Sequence, residues 1–257
     1  MYLSAREIAK KWSMSERRVR ILCMTNRIPG VFLSGYQWYV PVDTVRPVDG
    51  RLKKAGSLID IIDGKKEKLD SHRLFTSGDA GYPAEDFAVG NKDAFDFIRK
   101  KAEEKQPLTE EFIKQIHSFV LADKKDDRGV YRRIPVRIAG SKTVPVSPAL
   151  IEAKMKQAVN VYRNGAGHIV PRLARFHLEF ETIQPFVDGN GRTGRLITNF
   201  ELMKAGFPPI DIKLPDQKVY YNAFDAYAEK GAVSAMEDLF ARCLNESLDV
   251  RLKTLDE

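Results

Sequence analysis

The 257-residue sequence has little cysteine and no long apolar run. Its two cysteines, Cys23 and Cys243, are far apart and flanked by apolar residues, so we expect reduced, buried thiols rather than a disulfide. No stretch approaches the roughly 18 apolar residues of a membrane-spanning helix. The first residues carry charge early and lack an apolar stretch, which argues against a secretory leader. These absences predict a cytoplasmic protein.

Several catalytic signatures are also missing from the sequence. The four histidines and two cysteines do not have the spacing of zinc ligands. There is no G-x-S-x-G elbow of a serine hydrolase and no G-x-x-x-x-G-K-[ST] loop of a P-loop nucleotidase. The length and a hydrophobic content of 43% instead predict one or two soluble, compact domains.

Positive charge is concentrated at one end of the chain. The formal net charge is +7, and residues 1–55 contain eleven Lys and Arg against four Asp and Glu, so the remaining residues are balanced. A basic patch confined to a small segment is typical of nucleic-acid contact. The alternative is a basic surface that faces only solvent.

Residues 1–50 are predicted to form a small helix-turn-helix with a two-stranded wing. Ser4 and Glu7 have the spacing of a capping box before a first helix, and Ser15 can cap a second helix that runs to Cys23. Apolar residues at 31–33 and 38–40 surround Ser34-Gly35, as in a hairpin.

This segment resembles the winged helix-turn-helix of the excisionase and MerR type. The resemblance implies that the second helix enters the major groove of DNA. The residues that it places at the DNA are Ser15, Arg17, Arg18 and Arg20, with Arg27 near a phosphate. Some modules of this kind dock proteins instead.

The rest of the chain is predicted to be mostly helical. Residues 51–86 are interpreted as a connector that packs on the larger domain, with Gly64-Lys65-Lys66 interrupting a weak helical pattern. Residues 87–257 show helical periodicity except between Val130 and Val146, where alternating apolar residues predict a β-hairpin.

The segment Pro185–Arg195 joins two of these helices and carries the chemistry. Gly189 and Gly191 allow backbone N–H groups to converge where the next helix presents its positive end. Arg192 and Arg195, three residues apart, share one face near that end. Two guanidinium groups and converging amides suit a polyphosphate, and Asp188 offers an oxygen ligand for Mg²⁺.

His177 to Arg195 resemble the Fic (Fido) signature H-x-x-F-x-x-I-H-P-F-x-D-G-N-G-R-x-x-R, with one departure. The resemblance covers about 87–240 and implies a mostly α Fic/Fido bundle with a β-hairpin flap, preceded by the winged helix-turn-helix. It also implies transfer of AMP from ATP-Mg²⁺ to a Ser, Thr or Tyr hydroxyl of a target protein.

The resemblance assigns roles to individual residues. Gly189, Asn190 and Gly191 would hold the α- and β-phosphates, and Asp188 would hold Mg²⁺. Arg192 would support the loop or contact phosphate, and Arg195 would contact the leaving phosphates. Tyr220 and Tyr221 border the adenine pocket or belong to the core, and Phe186 is a core residue. The flap residues Ile134, Val136 and Ile138 would clamp the target by strand addition.

The departure is Gln184, where the signature has the histidine that accepts the proton of the attacking hydroxyl. An amide can hydrogen-bond a hydroxyl but cannot accept its proton at neutral pH. Three readings remain open: a natural weak or inactive relative, an engineered substitution, or a reaction that uses another group. His177 is about 10 Å away by helical rise, which is too far for it to replace the missing base.

Regulation and partners are predicted less specifically. No Ser or Thr is followed by the x-x-x-E-[GN] pattern of the family's inhibitory helix. Inhibition would therefore come from a separate small protein, from contacts within a homodimer, or from residues 56–86. The alternative function is a DNA-binding regulator whose Fic domain senses nucleotide without catalysis.

Overall fold

The computed structural model describes residues 2–12, 14–24, 28, 30–42, 44, 53–75, 92–138, 143–212 and 216–256. The chain divides into two compact units, Met1–Gly56 and Ser57–Glu257. Both cysteines are buried and free, which confirms the predicted thiols. None of the helices in the described ranges is long and apolar enough to cross a membrane.

The first unit contains a pair of helices and a small antiparallel sheet. Helices α1 (Ala5–Lys11) and α2 (Glu16–Met24) are followed by strands β2 (Phe32–Ser34) and β3 (Gln37–Pro41). The predicted capping box is present, since Ser4 Oγ accepts from the Glu7 N–H and Glu7 accepts from the Ser4 N–H. Ser15 Oγ likewise accepts from the Arg18 N–H at the start of α2, at 3.3 Å.

Strand β1 (Tyr2–Ser4) was not predicted, and it completes a sheet of order β1-β3-β2. It pairs Leu3 with Val40, while β2 pairs Leu33 with Trp38. The core of this unit consists of buried residues from both helices and β3: Ala5, Ile8, Ala9, Trp12, Val19, Leu22, Cys23, Ile28 and Val40.

The second unit is built from helices. Their bounds are α3 Lys53–Phe75, α4 Lys92–Glu103, α5 Glu110–Val120, α6 Ile151–Asn164, α7 Ile169–Ile183, α8 Asn190–Lys204, α9 Gln217–Lys230 and α10 Ser234–Asp256, with a 3₁₀ turn at Pro148–Leu150 before α6. Helix α8 packs against α4, α5 and α7 and has most of its residues buried. It is therefore an inner helix, and its first turn is held rigidly by its neighbours.

Helix α3 forms much of the connector predicted for residues 51–86, and it packs on the larger unit as predicted. Gly64 does not interrupt it, because the space around this glycine is open and the helix continues through it. Ile62 and Leu69, seven residues apart on one face, are buried in the core of the second unit. The unit boundary falls at Gly56 rather than at residue 50, and residues 76–91 lie outside the described ranges.

The segment predicted as a hairpin has no strand in its described residues, 130–138 and 143–147. Two prolines explain the difference, because Pro135 and Pro145 each remove a donor that a strand ladder needs. The carbonyl oxygens of Ile134 and Val146 instead accept hydrogen bonds from the guanidinium of Arg132. The side chain of Arg132 thus joins the two arms of this segment, residues 130–138 and 143–147.

Candidate nucleotide site

Helix α7 ends at the residue that replaces the histidine of the signature. Gln184 adopts a left-handed conformation, with φ of 48° and ψ of 66°, and its N–H still donates to Phe180 O at 3.0 Å. Pro185 follows directly and disfavours the right-handed helical region for the residue before it. The sequence therefore stops the helix here and turns the chain toward the glycine loop.

The side chain of Gln184 is folded back onto the helix it terminates. Its Nε2 donates to Glu181 O and to Glu181 Oε2, both at 2.9 Å, and the residue is only 8% exposed. Both amide hydrogens are therefore used inside the protein. The amide oxygen can orient a hydroxyl, but the group has no basicity with which to take its proton.

The first turn of α8 is prepared for an anion. Gly189 precedes the helix in the left-handed conformation, at φ 76°, and the first helical hydrogen bond runs from the Thr193 N–H to Gly189 O. The N–H groups of Asn190, Gly191 and Arg192 precede that bond and have no partner within a helix. They lie at the positive end of the helix dipole, where phosphate groups bind.

Asn190 supports this loop through its side chain rather than facing a ligand with it. Its Oδ1 accepts from the Phe186 N–H at 2.9 Å and its Nδ2 donates to Phe186 O at 2.8 Å. The amide is 5% exposed and occupied by both bonds. The predicted phosphate contact of Asn190 can therefore come only from its backbone N–H.

Asp188 stands at the mouth of the loop. Its Oδ2 lies 3.0 Å from Lys124 Nζ, and its Oδ1 accepts from the Gly189 N–H at 2.7 Å. The hydrogen bond from Lys124 and then that from Gly189 hold the pKa of the carboxyl below its usual range. The side chain is 51% exposed, so the carboxylate is ionised and open to a cation.

The two arginines of the loop have different surroundings. Arg192 Nη1 donates to Val120 O at 3.2 Å, so it ties the loop to the end of α5. Arg195 is half-buried on the inner side, close enough for its positive charge to lower the pKa of His177 and of Glu181. A Cβ atom at Gly191 would lie 3.4 Å from Arg195 Nη1, which places this charge beside the first turn of α8.

A buried polar cluster lies beneath that turn. His177 Nε2 accepts from the Tyr220 hydroxyl at 2.7 Å, and its Nδ1 contacts Thr198 Oγ1 at 3.2 Å. Burial, and then the charge of Arg195, lower the pKa of His177 to about 3, so the ring is neutral. This confirms the structural role predicted for His177.

Glu181 is the acid of this cluster. It is 3% exposed, its Oε2 accepts from Gln184, and its Oε1 is buried without a hydrogen-bond partner. Burial raises the pKa of Glu181 to about 7, against the opposing effects of Arg195 and of the Gln184 hydrogen bond. A carboxyl group that titrates near neutrality therefore lies next to the site.

His117 fixes the outer side of the loop. Its ring stacks on Phe186 with a centroid distance of 3.7 Å, and its Nδ1 accepts from the Gly129 N–H at 2.9 Å. Since Nδ1 is an acceptor, Nε2 carries the proton and donates to Asp188 O, also at 2.9 Å. Burial lowers the pKa of His117, which favours this neutral form. Phe186 is fully buried, as predicted.

Arg132 joins the predicted flap to the end of α7. Its side chain donates to Gln184 O at 2.6 Å and to Ile134 O at 2.8 Å, and it also reaches the carbonyl oxygens of Ile183 and Val146. The Arg132 N–H donates to Pro185 O at 2.9 Å. One buried guanidinium thus positions both arms of the flap against the peptide of Gln184.

The remaining predicted residues are placed as follows. Tyr220 is buried in the polar cluster, whereas Tyr221 is 37% exposed, so only Tyr221 has an open ring surface. In the flap, Ile134 is 56% exposed, and Val136 and Ile138 are half-buried. Ser15, Arg17 and Arg20 are exposed in the first unit and Arg18 is half-buried there, while Arg27 lies outside the described residues.

Sequence reasoning missed Glu181, Arg132 and Lys124. A signal existed for Glu181, because it lies four residues after His177 and three before Gln184, on the same helix face. Arg132 and Lys124 are more than fifty residues away in sequence from the partners that they contact at 183–188, and no local pattern distinguishes them from other basic residues.

A glycine turn joins two inner helices, with an acid before the second helix and two arginines within its first six residues, and this arrangement is typical of sites that bind anions. Residues 107–202 match the model of the Fic/DOC family. The curated relatives include the proteins named Protein adenylyltransferase Fic from Drosophila ananassae and Drosophila melanogaster, each 32% identical over 163 residues and 62% of this chain. The chain spans about a third of the length of these relatives.

Solved structures give the same fold. A Fic domain containing signaling protein from Bacteroides thetaiotaomicron is 22% identical with a TM-score of 0.57, covering 82% of this chain and 92% of that chain. A Fic family protein from Desulfovibrio desulfuricans is 18% identical with a TM-score of 0.55, covering 94% of this chain and 71% of that chain. The mostly helical Fic fold predicted from the sequence is confirmed.

Proposed function

We propose that the second unit binds ATP with Mg²⁺ and has the site of a protein adenylyltransferase, in which Gln184 leaves AMP transfer weak. The observation that carries the proposal is the first turn of α8, which has three N–H groups without a helical partner, the Arg195 guanidinium beside it and the Asp188 carboxylate just before it. The name and 32% identity of the curated relatives support adenylyl transfer as the reaction type.

The backbone of the loop would hold the phosphate chain. The N–H groups of Asn190, Gly191 and Arg192 bind the α- and β-phosphates, because they are directed along the axis of α8 and have no helical partner. Arg195 is the flexible cation beside them and stabilises the departing pyrophosphate. Arg192, tied to Val120 O, keeps the turn in position.

The residues fit Mg²⁺ as a shared ion. Asp188 is an exposed, ionised carboxylate, and no group of three or more possible metal-ligating residues occurs among the described residues. One protein carboxylate completed by phosphate and water oxygens is a normal coordination shell for Mg²⁺. Bound there, the ion would neutralise charge on the phosphate oxygens. Lys124 supplies positive charge to the same carboxylate in the structure.

The transfer step lacks a proton acceptor at its usual position. A hydroxyl oxygen of the target would form a bond to the α-phosphorus, the bond from that phosphorus to the pyrophosphate oxygen would break, and the hydroxyl proton must leave. Gln184 orients the hydroxyl through its amide oxygen, with Ile134, Val136 and Ile138 as the surface against which the target segment lies. Loss of a general base costs about 10²–10⁴ in rate.

The test is the Gln184→His substitution. The purified full chain and this variant are incubated with Mg²⁺ and ATP labelled at the α-phosphate, and in parallel with ATP labelled at the γ-phosphate. We expect label from the α-position in protein to rise by about 10²–10⁴ in the variant, because an imidazole restores proton transfer. Label from the γ-position should not be transferred.

Two arginine variants serve as matched controls. Arg195→Ala in the Gln184→His background should abolish the gain, whereas Arg175→Ala, an exposed arginine on α7, should keep it. A chain that binds no adenine nucleotide in a titration, with or without the histidine, would contradict the assignment of the site. Nucleotide binding without any transfer in Gln184→His would contradict the reaction type.

A second candidate function is DNA binding by the first unit. Arg17 and Arg20 are exposed on α2, and the whole excess of positive charge lies in residues 1–55. These observations favour an electrostatic surface for a polyanion. In this alternative the second unit senses nucleotide and the first reads an operator.

Salt dependence tests this candidate. Fluorescence anisotropy with duplex DNA should show an affinity that falls steeply with salt, and Arg17→Glu/Arg20→Glu should reduce the slope by about one unit for each lost phosphate contact. Arg6→Glu/Lys10→Glu makes the same charge change on the exposed side of α1 and is the control. If both double variants reduced the DNA affinity and its salt dependence equally, binding would depend on overall charge rather than on α2, and this candidate function would be rejected.

A further inference from the structure

The proposed reaction gives no role to Glu181, the acid of the buried polar cluster. It is a buried acid, and one of its carboxylate oxygens has no hydrogen-bond partner. The other oxygen is bonded to Gln184 at 2.9 Å. Leaving a buried acceptor without a partner costs free energy, and it is most easily tolerated where a proton or a ligand completes the group.

The position of this carboxyl group links it to the anion turn. A Cβ atom at Gly194 would lie 2.8 Å from Glu181 Oε1, and one at Gly191 would lie 3.8 Å from it. The carboxyl group therefore occupies the space that Gly194 leaves on α8, and it lies within contact range of a side chain at position 191. The N–H groups proposed to bind phosphate belong to the same first turn.

The groups that face Glu181 come from several elements. On α7 itself His177 Nε2 lies 3.9 Å from Oε1, and this ring is neutral. Helix α8 contributes Arg195, whose positive charge lowers the pKa of Glu181, and α9 contributes the un-ionised hydroxyl of Tyr220. Beyond Gln184, Arg132 is bonded to the carbonyl oxygens of Ile183 and Gln184.

Two other helices pack on α7 without supplying a charge partner to this carboxyl. Helix α6 presents Tyr162, whose hydroxyl is bonded to Glu201 at 2.8 Å. Helix α10 presents the Phe240 ring, which packs edge-on against His177. Arg195 is thus the cation whose charge opposes the effect of burial on the pKa of Glu181.

We propose that binding of a nucleotide's phosphate chain at residues 189–191 is coupled to uptake of a proton by Glu181. This rests on the proposed function, because it requires that the phosphates bind at the first turn of α8. Phosphate at that turn adds negative charge next to a buried carboxylate, which disfavours its ionised form. Phosphate also engages Arg195, which then compensates the carboxylate less.

The direction of the pH dependence follows from linkage. Burial already raises the pKa of Glu181 to about 7 in the free protein, and phosphate raises it further. Between the free and bound pKa values the complex holds one more proton than the free protein. Nucleotide affinity should therefore fall as pH rises above 7, by up to about 10-fold per pH unit.

The experiment measures the affinity of the full chain for ADP with Mg²⁺ by calorimetry from pH 6 to 9. Glu181→Gln keeps the acceptor for Gln184 and imitates the protonated acid, so its affinity should fall less with pH and exceed that of the wild type at pH 8.5. Ionisation of the nucleotide itself is common to both proteins and cancels in the comparison. At pH 8, repeating the titration in HEPES and in Tris, two buffers with different ionisation enthalpies, should reveal proton uptake in the wild type only.

Glu179→Gln is the matched control, because it removes the same charge two residues away on a partly exposed position bonded to Tyr227. It should retain the pH dependence of the wild type. Equal slopes in the wild type and Glu181→Gln, or weaker binding by Glu181→Gln at every pH, would overturn the proposal. Failure of all three proteins to bind nucleotide would instead overturn the proposed function.

Discussion

Gly189→Ala gives a direct test of how the anion turn is built. Gly189 has φ of 76°, and a Cβ atom there would lie 2.9 Å from Val120 Cγ1. Alanine in this left-handed conformation costs roughly 1–2 kcal/mol. The overlap with Val120 costs about 1–3 kcal/mol where the core cannot shift. The less flexible unfolded chain returns about 0.4–1 kcal/mol.

These contributions give an expected loss of about 1–5 kcal/mol in the free energy of unfolding. Gly231→Ala separates the two causes, because Gly231 has φ of 64° with no atom within 4 Å of an added Cβ. It should cost about 0–1.6 kcal/mol, since it carries the backbone strain without the overlap. Both glycines belong to the unit Ser57–Glu257, so the comparison is made within one unit.

The assay is urea unfolding followed by far-ultraviolet circular dichroism. Tryptophan fluorescence would not report this unit, because Trp12 and Trp38 both lie in Met1–Gly56. The slope of the transition should be the same for wild type and variants, so that the midpoints report stability. Gly189→Ala should also weaken nucleotide binding, and Gly231→Ala should not. Equal stability losses in the two variants would refute the close packing of the turn on Val120.

Three further predictions concern the surroundings of the turn. Gly194→Ala should destabilise the protein in urea unfolding although it lies in a helix, because its Cβ would be 2.8 Å from Glu181 Oε1. Gly64→Ala, in open space, should stabilise the protein by about 0.5–1 kcal/mol. A gain of stability in both variants would contradict the packing of Glu181 against α8. Arg132→Met should lower the free energy of unfolding by about 3 kcal/mol or more in the same assay, because it leaves buried carbonyl oxygens without a donor. The control Arg133→Met changes an exposed residue and should lower it little. Similar small losses in both variants would argue against the role of Arg132. The carboxyl group of Glu181 binds its proton more tightly in the folded protein than in the unfolded chain, so up to about 3 kcal/mol of the stability present at pH 4.5 should be lost as pH rises through 7. Thermal melts of Glu181→Gln should not show this loss. The same pH profile in the variant and the wild type would show that this carboxyl group ionises normally.

The site could be predicted where its chemistry is local in sequence. Gly189, Asp188 and Arg195 lie within a few residues of one another, so their spacing alone predicts an anion turn at a helix start. The same holds for the capping box of Ser4 and Glu7, which depends on four consecutive residues.

The features that were missed depend on contacts distant in sequence. Glu181 matters because glycines on another helix leave room for its carboxyl group, which no pattern within α7 reveals. The hairpin was predicted from alternating apolar residues, but Arg132 takes carbonyl oxygens that a strand partner would use. Gly64 was interpreted as a break, although a glycine in open space merely weakens a helix.

The position of Arg132 has a mechanical consequence. The planar guanidinium group of Arg132 donates hydrogen bonds to the carbonyl oxygens of Ile134, Val146 and Gln184. The two arms of the segment and the end of α7 therefore cannot shift independently without losing hydrogen bonds. If a target segment docks on the outer edge of this segment, as we propose, a displacement of that edge would therefore reach the backbone of Gln184 through Arg132. Binding of the target and placement of its hydroxyl would then depend on the same guanidinium group.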